Sequence, residues 1–326
     1  MRRLRPRAWA AAPLRLSDPE MEIGLCMIVR DEVGRIADCL DPIVDLLTDI
    51  VIVDTGSIDG TPTLLATRYG IDVLRGALDG DNCNSKAPAR NQAHAAVHAP
   101  WILSLDADER LARADLQALL AMPDDPALSG YFFPWHTYRG DCVVEDYKLC
   151  LYRHGLRSTG CAHENVQVDL RARELDAAWI GERVVRHLPD PAKDAWKLEF
   201  YTARMTCAIA RDPQWFRYHW FLGYTFFRQG LSARALPWLR TAADAESTRF
   251  PVECLNSAML LAGLLAAQGE SAAAVRTIAR AREFHARVQQ DCEVRVNFRM
   301  KPWLDAAAAE LAERGALSLA PYSFAY

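Results

Sequence analysis

The first half of the chain alternates between two patterns of apolar residues. Short, nearly continuous apolar runs at residues 23–29, 49–54, 71–74 and 101–105 are typical of strands buried on both faces of a sheet. Between these runs apolar residues recur at helical spacing, and Pro42 divides the first helical stretch. This alternation predicts an α/β fold with a doubly wound, mainly parallel sheet and right-handed crossovers.

The pattern changes further along the chain. Residues 130–136 and 147–153 predict shorter β segments, and nearly everything after Trp196 predicts helices. Pro189 and Pro191 mark the change between the two regions. We therefore predict a basic tail at residues 1–20, an α/β domain at residues 21–190 and an all-α domain at residues 191–326.

The helical half contains a faint internal repeat. Small and large residues occupy matching positions in two sets that lie 39 residues apart. The first set is Leu222, Gly223, Phe226, Gly230, Ala235, Leu239 and Ala242, and the second is Leu261, Ala262, Leu265, Gly269, Ala274, Ile278 and Ala281. The arrangement is similar to a tetratricopeptide repeat, whose period is about 34 residues. We predict tetratricopeptide-like helix pairs, with an unspecialised helical bundle as the alternative.

Composition and charge exclude several classes of protein. Of the 326 residues, 51% are hydrophobic and 25% are charged, which is the balance of a globular protein. The net charge of -4 is uneven, because residues 21–191 hold 16 basic and 27 acidic side chains, and this argues against a nucleic-acid binder. No segment reaches the roughly 18 apolar residues of a transmembrane helix. Nine cysteines without a CxxC pair favour a reducing, cytoplasmic location.

Acidic residues follow two of the predicted strands. Asp54 ends one strand, and Asp106 and Asp108 come directly after another. Ligands of parallel sheets bind beyond the carboxyl ends of the strands. Paired carboxylates together with substrate phosphates commonly hold Mg²⁺ or Mn²⁺. A nucleotide-diphosphate site is therefore predicted here, and a helix-capping turn is the structural alternative for these acids.

Four motifs in order resemble the family 2 glycosyltransferases over roughly residues 21–170. They are Cys26-Met27-Ile28-Val29-Arg30-Asp31-Glu32, Ile52-Val53-Asp54-Thr55-Gly56-Ser57-Ile58-Asp59-Gly60-Thr61, Ala89-Arg90-Asn91 and Trp101-Ile102-Leu103-Ser104-Leu105-Asp106-Ala107-Asp108-Glu109. The resemblance is strongest to the bacterial branch with tetratricopeptide-like helices after the catalytic domain. It implies a GT-A fold, a nucleotide-sugar donor, usually a UDP-sugar, and inversion at the anomeric carbon.

The resemblance also implies roles for individual residues. Val29 and Glu32 would line the base and ribose pocket, and Asp54 would bind the base. Arg90 would lie over the nucleotide. Asp106 would meet the ribose or the metal, and Asp108 would bind the Mn²⁺ or Mg²⁺ that bridges the diphosphate.

A further family feature is a His-Glu pair, which His163 and Glu164 match here. An inverting transferase needs a general base that takes the proton of the acceptor. Glu164 is the candidate base and Glu109 the competing one. His163 would complete the metal site or contact the diphosphate, or it is a structural histidine.

The expected protein is thus a metal-assisted glycosyltransferase acting on a peptide, protein or glycan acceptor. The helical domain would bind the acceptor or form a homodimer. Two alternatives stay open: a helical-repeat binding protein with a degenerate transferase domain, and a sugar nucleotidyltransferase. The latter class usually has a glycine-rich phosphate loop after its first strand, and residues 27–33 contain no glycine.

Overall fold

The computed structural model describes residues 20–248, 250–291 and 300–318. Nearly all of the predicted basic tail therefore lies outside the described residues. The chain divides into two compact units, and the division falls between Asp190 and Pro191. Within the described residues, no helix is long and apolar enough to cross a membrane.

The first unit is an α/β structure built on one large sheet. Its strands are β1 Ile23–Val29, β2 Ile50–Asp54, β3 Leu74–Arg75, β4 Trp101–Ser104, β5 Glu109–Arg110, β6 Gly130–Arg139, β7 Cys142–Arg153, β8 Ala177–Trp179 and β9 Val185–His187. Its α-helices are α1 Ile36–Leu40, α2 Thr61–Tyr69, α3 Ala87–Ala96, α4 Arg113–Leu120 and α5 Gln167–Ala172, with one-turn 3₁₀ helices at Val44–Leu46 and Gly80–Asn82.

The sheet has nine strands in the order β3-β2-β1-β4-β7-β6-β9-β5, and β8 pairs with β6. The strands β3, β2, β1 and β4 are parallel, whereas β7 joins β4 in the antiparallel direction. The predicted α/β class with a mainly parallel sheet is thus confirmed. Because the parallel strands point the same way, their carboxyl ends meet at one edge.

Burial on both faces of the sheet explains the apolar run of β1. Leu25, Met27 and Val29 belong to one buried cluster, and Cys26 belongs to the cluster on the opposite face. Helix α1 ends at Leu40, just before Pro42, because a proline in a helix interior removes a backbone donor and clashes with the preceding turn.

The region after residue 130 differs from the predicted short β segments. Strands β6 and β7 form one long antiparallel hairpin that pairs from Gly130 with Tyr152 to Arg139 with Cys142. Charged residues such as Asp146 and Lys148 interrupt the apolar pattern in β7. Backbone pairing across the hairpin, which periodicity cannot show, continues the strand through these positions.

The second unit is helical over its described residues. Its helices are α6 Asp194–Arg211, α7 Phe216–Arg228, α8 Ser232–Asp244, α9 Pro251–Ala267, α10 Ser271–Asp291 and α11 Met300–Arg314, and a 3₁₀ turn at Pro191–Lys193 precedes them. Each helix packs against the next one along the chain. Helix α9 is buried on nearly all sides, which matches its continuous apolar sequence.

Close packing between α7 and α8 depends on Gly223. A Cβ atom at this position would lie 2.8 Å from Leu239 Cγ and 3.1 Å from the Leu239 backbone nitrogen. Gly223 and Leu239 both belong to the first copy of the internal repeat. The second copy has Ala262 in α9 and Ile278 in α10 at these two positions, and both are buried.

We predict that Gly223→Ala lowers the free energy of unfolding by about 1–2 kcal/mol. Overpacking costs about 1–3 kcal/mol, and the cost here lies at the upper end because the Leu239 backbone cannot move aside as a flexible side chain can. The better helix propensity of alanine offsets about 1 kcal/mol of it. Urea unfolding followed by circular dichroism measures the change. Gly34→Ala is the control, because a Cβ at Gly34 would have no neighbour within 4 Å. Equal stability of Gly223→Ala and the parent protein would contradict this packing.

Candidate functional site

Several of the sequence-predicted residues lie at the carboxyl edge of the parallel strands. Val29 at the end of β1 pairs with Asp54 at the end of β2. On the other side of β1, Cys26 pairs with Ser104, the last residue of β4, so Asp106 and Asp108 follow at the same edge. The sheet therefore brings the ends of three motifs together.

The loops after β1 and β2 are hydrogen-bonded to one another. Ser57 accepts a bond from the Asp31 backbone N–H at 2.9 Å, and the Asp31 carboxylate accepts one from the Ile58 N–H at 2.7 Å. Thr61 Oγ1 accepts a bond from the Glu32 N–H at 2.9 Å. Asp31 has a φ of 55°, a left-handed conformation that Asp tolerates better than most residues. These bonds fix the segment that carries Glu32.

Asp54 and Asp59 both hold local turns. The half-buried Asp54 carboxylate accepts bonds from the Gly56 and Ser57 N–H groups at 3.2 Å and from the Ser57 hydroxyl at 2.5 Å. Asp59 accepts bonds from the Thr61 N–H at the start of α2 and from the Val33 N–H. Asp59 therefore contacts the first residue of α2, as a helix-capping acid would, whereas the bonds of Asp54 stay within the turn after β2.

Asp106 lies at the centre of a cluster of charges. Arg90, on α3, places Nη2 2.8 Å from Asp106 Oδ1, and Lys148, on β7, places Nζ 3.4 Å from Oδ2. Burial alone would raise the pKa of Asp106, but the positive charges of Arg90, Lys148 and Lys86 hold it well below its usual range. Asp106 is consequently ionised and already neutralised by protein cations.

Glu109 is the buried anchor of the same cluster. Its side chain is 1% exposed, and it accepts bonds from Trp135 Nε1 at 2.6 Å, from Lys148 Nζ at 2.5 Å and from the Asp106 backbone N–H at 2.9 Å. These three donors surround the carboxylate of the residue considered as the competing base. Its geometry is that of a structural anion.

Asp108 contacts a histidine that sequence reasoning missed. His187 Nε2, on β9, lies 3.4 Å from Asp108 Oδ2, and the backbone N–H of Leu188 donates to the Asp108 carbonyl at 2.8 Å. Pairing of β5 with β9 brings the two together. No local motif marks His187, Lys148 or Trp135. The available signal in the sequence was a charged residue, Lys148, inside an otherwise β-like run.

The loop that carries His163 and Glu164 is attached to the start of α3. Asn91 makes two hydrogen bonds with the backbone of Ser158, at 2.8 and 2.9 Å, and Glu164 Oε1 accepts one from the Lys86 N–H at 2.5 Å. Lys86 also acts electrostatically on Asp106. Glu164 is thereby held beside a residue whose charge reaches the acidic cluster. His163 has a φ of 51°, and its carbonyl accepts a bond from Asn165.

The donor set admits a metal ion only in part. The described residues contain no group of three or more His, Cys, Asp or Glu side chains that could hold a metal ion. Asp106, Asp108 and His163 are thus not gathered into such a group. Asp108 and His187 do lie together, and Mg²⁺ sites commonly combine one or two carboxylates with water and substrate phosphates. These two side chains fit a metal ion whose remaining ligands are water and substrate phosphate oxygens.

A series of buried hydrogen bonds runs from Arg90 to His94. Arg90 Nη1 donates to Ser104 Oγ at 3.4 Å, and Ser104 is also hydrogen-bonded to the Tyr152 hydroxyl. The same hydroxyl lies 2.7 Å from His94 Nε2. Burial, and then the charge of Arg90, lower the pKa of His94 to about 4, so His94 is neutral at pH 7.

One known family matches the first unit. Residues 25–154 match the family model described as Glycosyl transferase family 2. Residues 25–154 therefore carry a family 2 glycosyltransferase domain, and the resemblance in the four motifs is confirmed. His163, Glu164 and His187 lie beyond the matched residues.

One curated relative is 41% identical over 106 residues. It is the TPR repeat-containing protein Synpcc7942_0270 of Synechococcus elongatus. The aligned part is 32% of this chain and 25% of that protein, so the chain spans about a quarter of the length of this relative.

Several solved structures are similar to this chain at low sequence identity. S. aureus TarS 1-349 in complex with UDP has a TM-score of 0.45 and 11% identity, and the alignment covers 92% of this chain and 93% of TarS. Its complex with UDP-GlcNAc has a TM-score of 0.44 and 10% identity over the same shares. Glucosyl-3-phosphoglycerate synthase from Mycobacterium tuberculosis, with phosphoglyceric acid, has a TM-score of 0.38 and 15% identity over 58% of this chain and 80% of that chain.

We predict that His94 makes stability depend on pH. Because its folded pKa lies below the unfolded value of 6.5, the neutral ring stabilises the fold above pH 6.5, and this contribution is lost as the pH falls towards 4. The loss amounts to ~3 kcal/mol. Urea unfolding at pH 7 and pH 4 should show a smaller pH dependence for His94→Gln than for the parent protein. His98→Gln, whose side chain is 93% exposed, is the control and should leave the dependence unchanged. Parallel pH profiles for the parent and His94→Gln would refute the prediction.

Proposed function

We propose that the first unit transfers a sugar from a UDP-sugar to an acceptor with inversion at the anomeric carbon. The observation that carries this proposal is the convergence of Asp54, Arg90, Asp106 and Asp108 at one edge of a family 2 glycosyltransferase sheet. Parallel α/β sheets bind their ligands at this edge.

The nucleotide occupies the edge formed by β1 and β2. Glu32 and the backbone at Val29, whose side chain is buried in the core, line the base and ribose pocket. The Asp54 carboxylate, half-buried at the end of β2, accepts a hydrogen bond from the base. The bonds between the two loops hold this pocket in one shape before the donor arrives. Such preorganisation lowers the ordering cost of binding.

The diphosphate lies over the acidic cluster. Arg90 and Lys148 carry positive charge on either side of Asp106, which itself faces the ribose. Asp108 and His187 are the side chains that would hold Mn²⁺ or Mg²⁺, in place of the predicted set of Asp106, Asp108 and His163. The cation would neutralise the charge that develops on the leaving diphosphate.

Glu164 is the proposed general base. It lies in the loop before α5, and its carboxylate accepts a hydrogen bond from the backbone N–H of Lys86, a residue whose charge acts on Asp106. It accepts the proton of the acceptor group while that group attacks the anomeric carbon from the face opposite the diphosphate. Glu109 is unsuited to this step because three donors already surround its buried carboxylate.

The helical unit is proposed to bind a peptide or protein acceptor through tetratricopeptide-like pairs. Gly223 against Leu239 in α7 and α8, and Ala262 and Ile278 in α9 and α10, occupy matching positions 39 residues apart. The relative named as a TPR repeat-containing protein supports this interpretation. Helical repeats of this type present extended binding surfaces.

We predict that Asp108→Asn abolishes metal-dependent donor turnover. UDP-sugars are screened for hydrolysis and for binding by calorimetry, with Mn²⁺ and after EDTA treatment. The parent protein should require Mn²⁺, and the variant should turn over the donor at least about 100-fold more slowly, because removing charge stabilisation of the leaving group commonly costs this much. Asp72→Asn, at an exposed position, is the matched control. Equal turnover by both variants would refute the metal assignment, and binding of no nucleotide sugar would favour a non-catalytic scaffold.

We predict that Glu164→Gln keeps donor affinity but lowers transfer by about 10²–10⁴-fold, the usual contribution of a general base. Calorimetry with a UDP-sugar and a transfer assay on the acceptor measure the two properties. Glu109→Gln is the comparison, and it should mainly lower stability, by about 1–3 kcal/mol, because the neutral amide is a weaker acceptor for Lys148, which keeps Asp106 as a second partner. Full transfer activity of Glu164→Gln would move the base elsewhere.

A further inference from the structure

His187 is held on three sides by residues of the sheet. Its Nε2 faces Asp108 at 3.4 Å, and its Nδ1 lies 2.9 Å from Thr137 Oγ1. The indole of Trp135 stacks on the imidazole with ring centroids 4.5 Å apart and planes inclined by 18°. Strand pairing places Thr137 directly opposite His187. The side chain is therefore confined in both its plane and its direction.

The hydroxyl of Thr137 faces Nδ1 of His187, and the state of Nδ1 bears on metal binding by Nε2. A neutral imidazole binds a metal through one nitrogen only if the other nitrogen carries the proton. When Nδ1 carries it, the N–H needs an acceptor, and Thr137 Oγ1 is within hydrogen-bond distance. Thr137 is only 7% exposed, so bulk water is poorly placed to replace the hydroxyl. Partners of this kind fix the orientation and tautomer of metal-binding histidines.

Trp135 links this histidine to the anchor of the acidic cluster. Its face lies against His187, and its Nε1–H donates to Glu109, which also accepts a bond from the Asp106 N–H. Asp106 is thus connected to this indole through Glu109, and Asp108 is connected to it through His187. Trp135 thus restricts the position of the imidazole, and Thr137 Oγ1 is the group that faces its Nδ1.

We propose that Thr137 is a positioning residue for the metal site, because its hydroxyl accepts the Nδ1–H of His187 and so presents the Nε2 lone pair beside Asp108. The proposal rests on the proposed function, in which Asp108 and His187 hold the cation. Thr137 itself touches neither the cation nor the donor.

The test measures Mn²⁺ affinity in the full chain with UDP present, by calorimetry or by the electron paramagnetic resonance of free Mn²⁺. Thr137→Val keeps the shape of the side chain but removes the hydroxyl, and it should weaken Mn²⁺ binding about 10–100-fold, the usual effect of removing such a partner. Thr137→Ser restores the hydroxyl and should bind within about threefold of the parent protein. His187→Ala defines the loss expected when the ligand itself is absent.

A second readout separates positioning from a general structural role. With Mg²⁺ and UDP, long-range ¹H–¹⁵N spectra should show the proton of His187 on Nδ1 in the parent protein and in Thr137→Ser. A dominant Nε2-protonated ring in the parent protein would overturn the proposal, whether or not Thr137→Val folds.

The outcomes for His187→Ala and Thr137→Val separate the role of Thr137 from the proposed metal pair of Asp108 and His187. If His187→Ala binds Mn²⁺ as tightly as the parent protein, the proposed metal pair is wrong. If His187→Ala weakens binding while Thr137→Val does not, the metal pair stands and the role of Thr137 is wrong. Loss in Thr137→Val with recovery in Thr137→Ser, at similar melting temperatures, supports the inference.

Discussion

The buried carboxylate of Glu109 is the constraint on which the arrangement of the site depends. An ionised carboxylate without partners would cost several kcal/mol to bury, so its oxygens must be satisfied. Lys148, Trp135 and the Asp106 backbone N–H satisfy them, and these groups come from β7, β6 and the segment after β4. One side chain therefore fixes the acidic segment against the hairpin that carries Lys148.

A second set of contacts joins the loops around the sheet edge. Ser57 binds Asp31 across the loops after β1 and β2, and Asn91 binds the backbone of Ser158 from α3. In both of these contacts a polar side chain bonds to backbone groups, so that loops without regular structure have satisfied donors and acceptors. The pocket proposed for the donor is consequently built from anchored loops, and Glu164 is attached to the same framework through Lys86.

The sequence was a reliable guide where a local pattern carries the information. Continuous apolar runs located β1, β2 and β4, and Pro42 marked the end of α1. The order of the four motifs identified the family, because three of them begin in the strands β1, β2 and β4 and the remaining one lies in α3. The hairpin β6–β7 was predicted only as fragments, since Asp146 and Lys148 interrupt its apolar pattern and cross-strand pairing maintains it.

What the sequence determined by itself was therefore the α/β class, the family and the presence of acids at strand ends. Only the tertiary structure decided which partners those acids have. Asp106 is neutralised by Arg90 and Lys148, while Asp108 lies against His187, which is 79 residues further along the chain. The physical reason is that charge pairing acts through space at distances of a few ångströms. Sheet pairing sets those distances, and residue spacing along the chain does not.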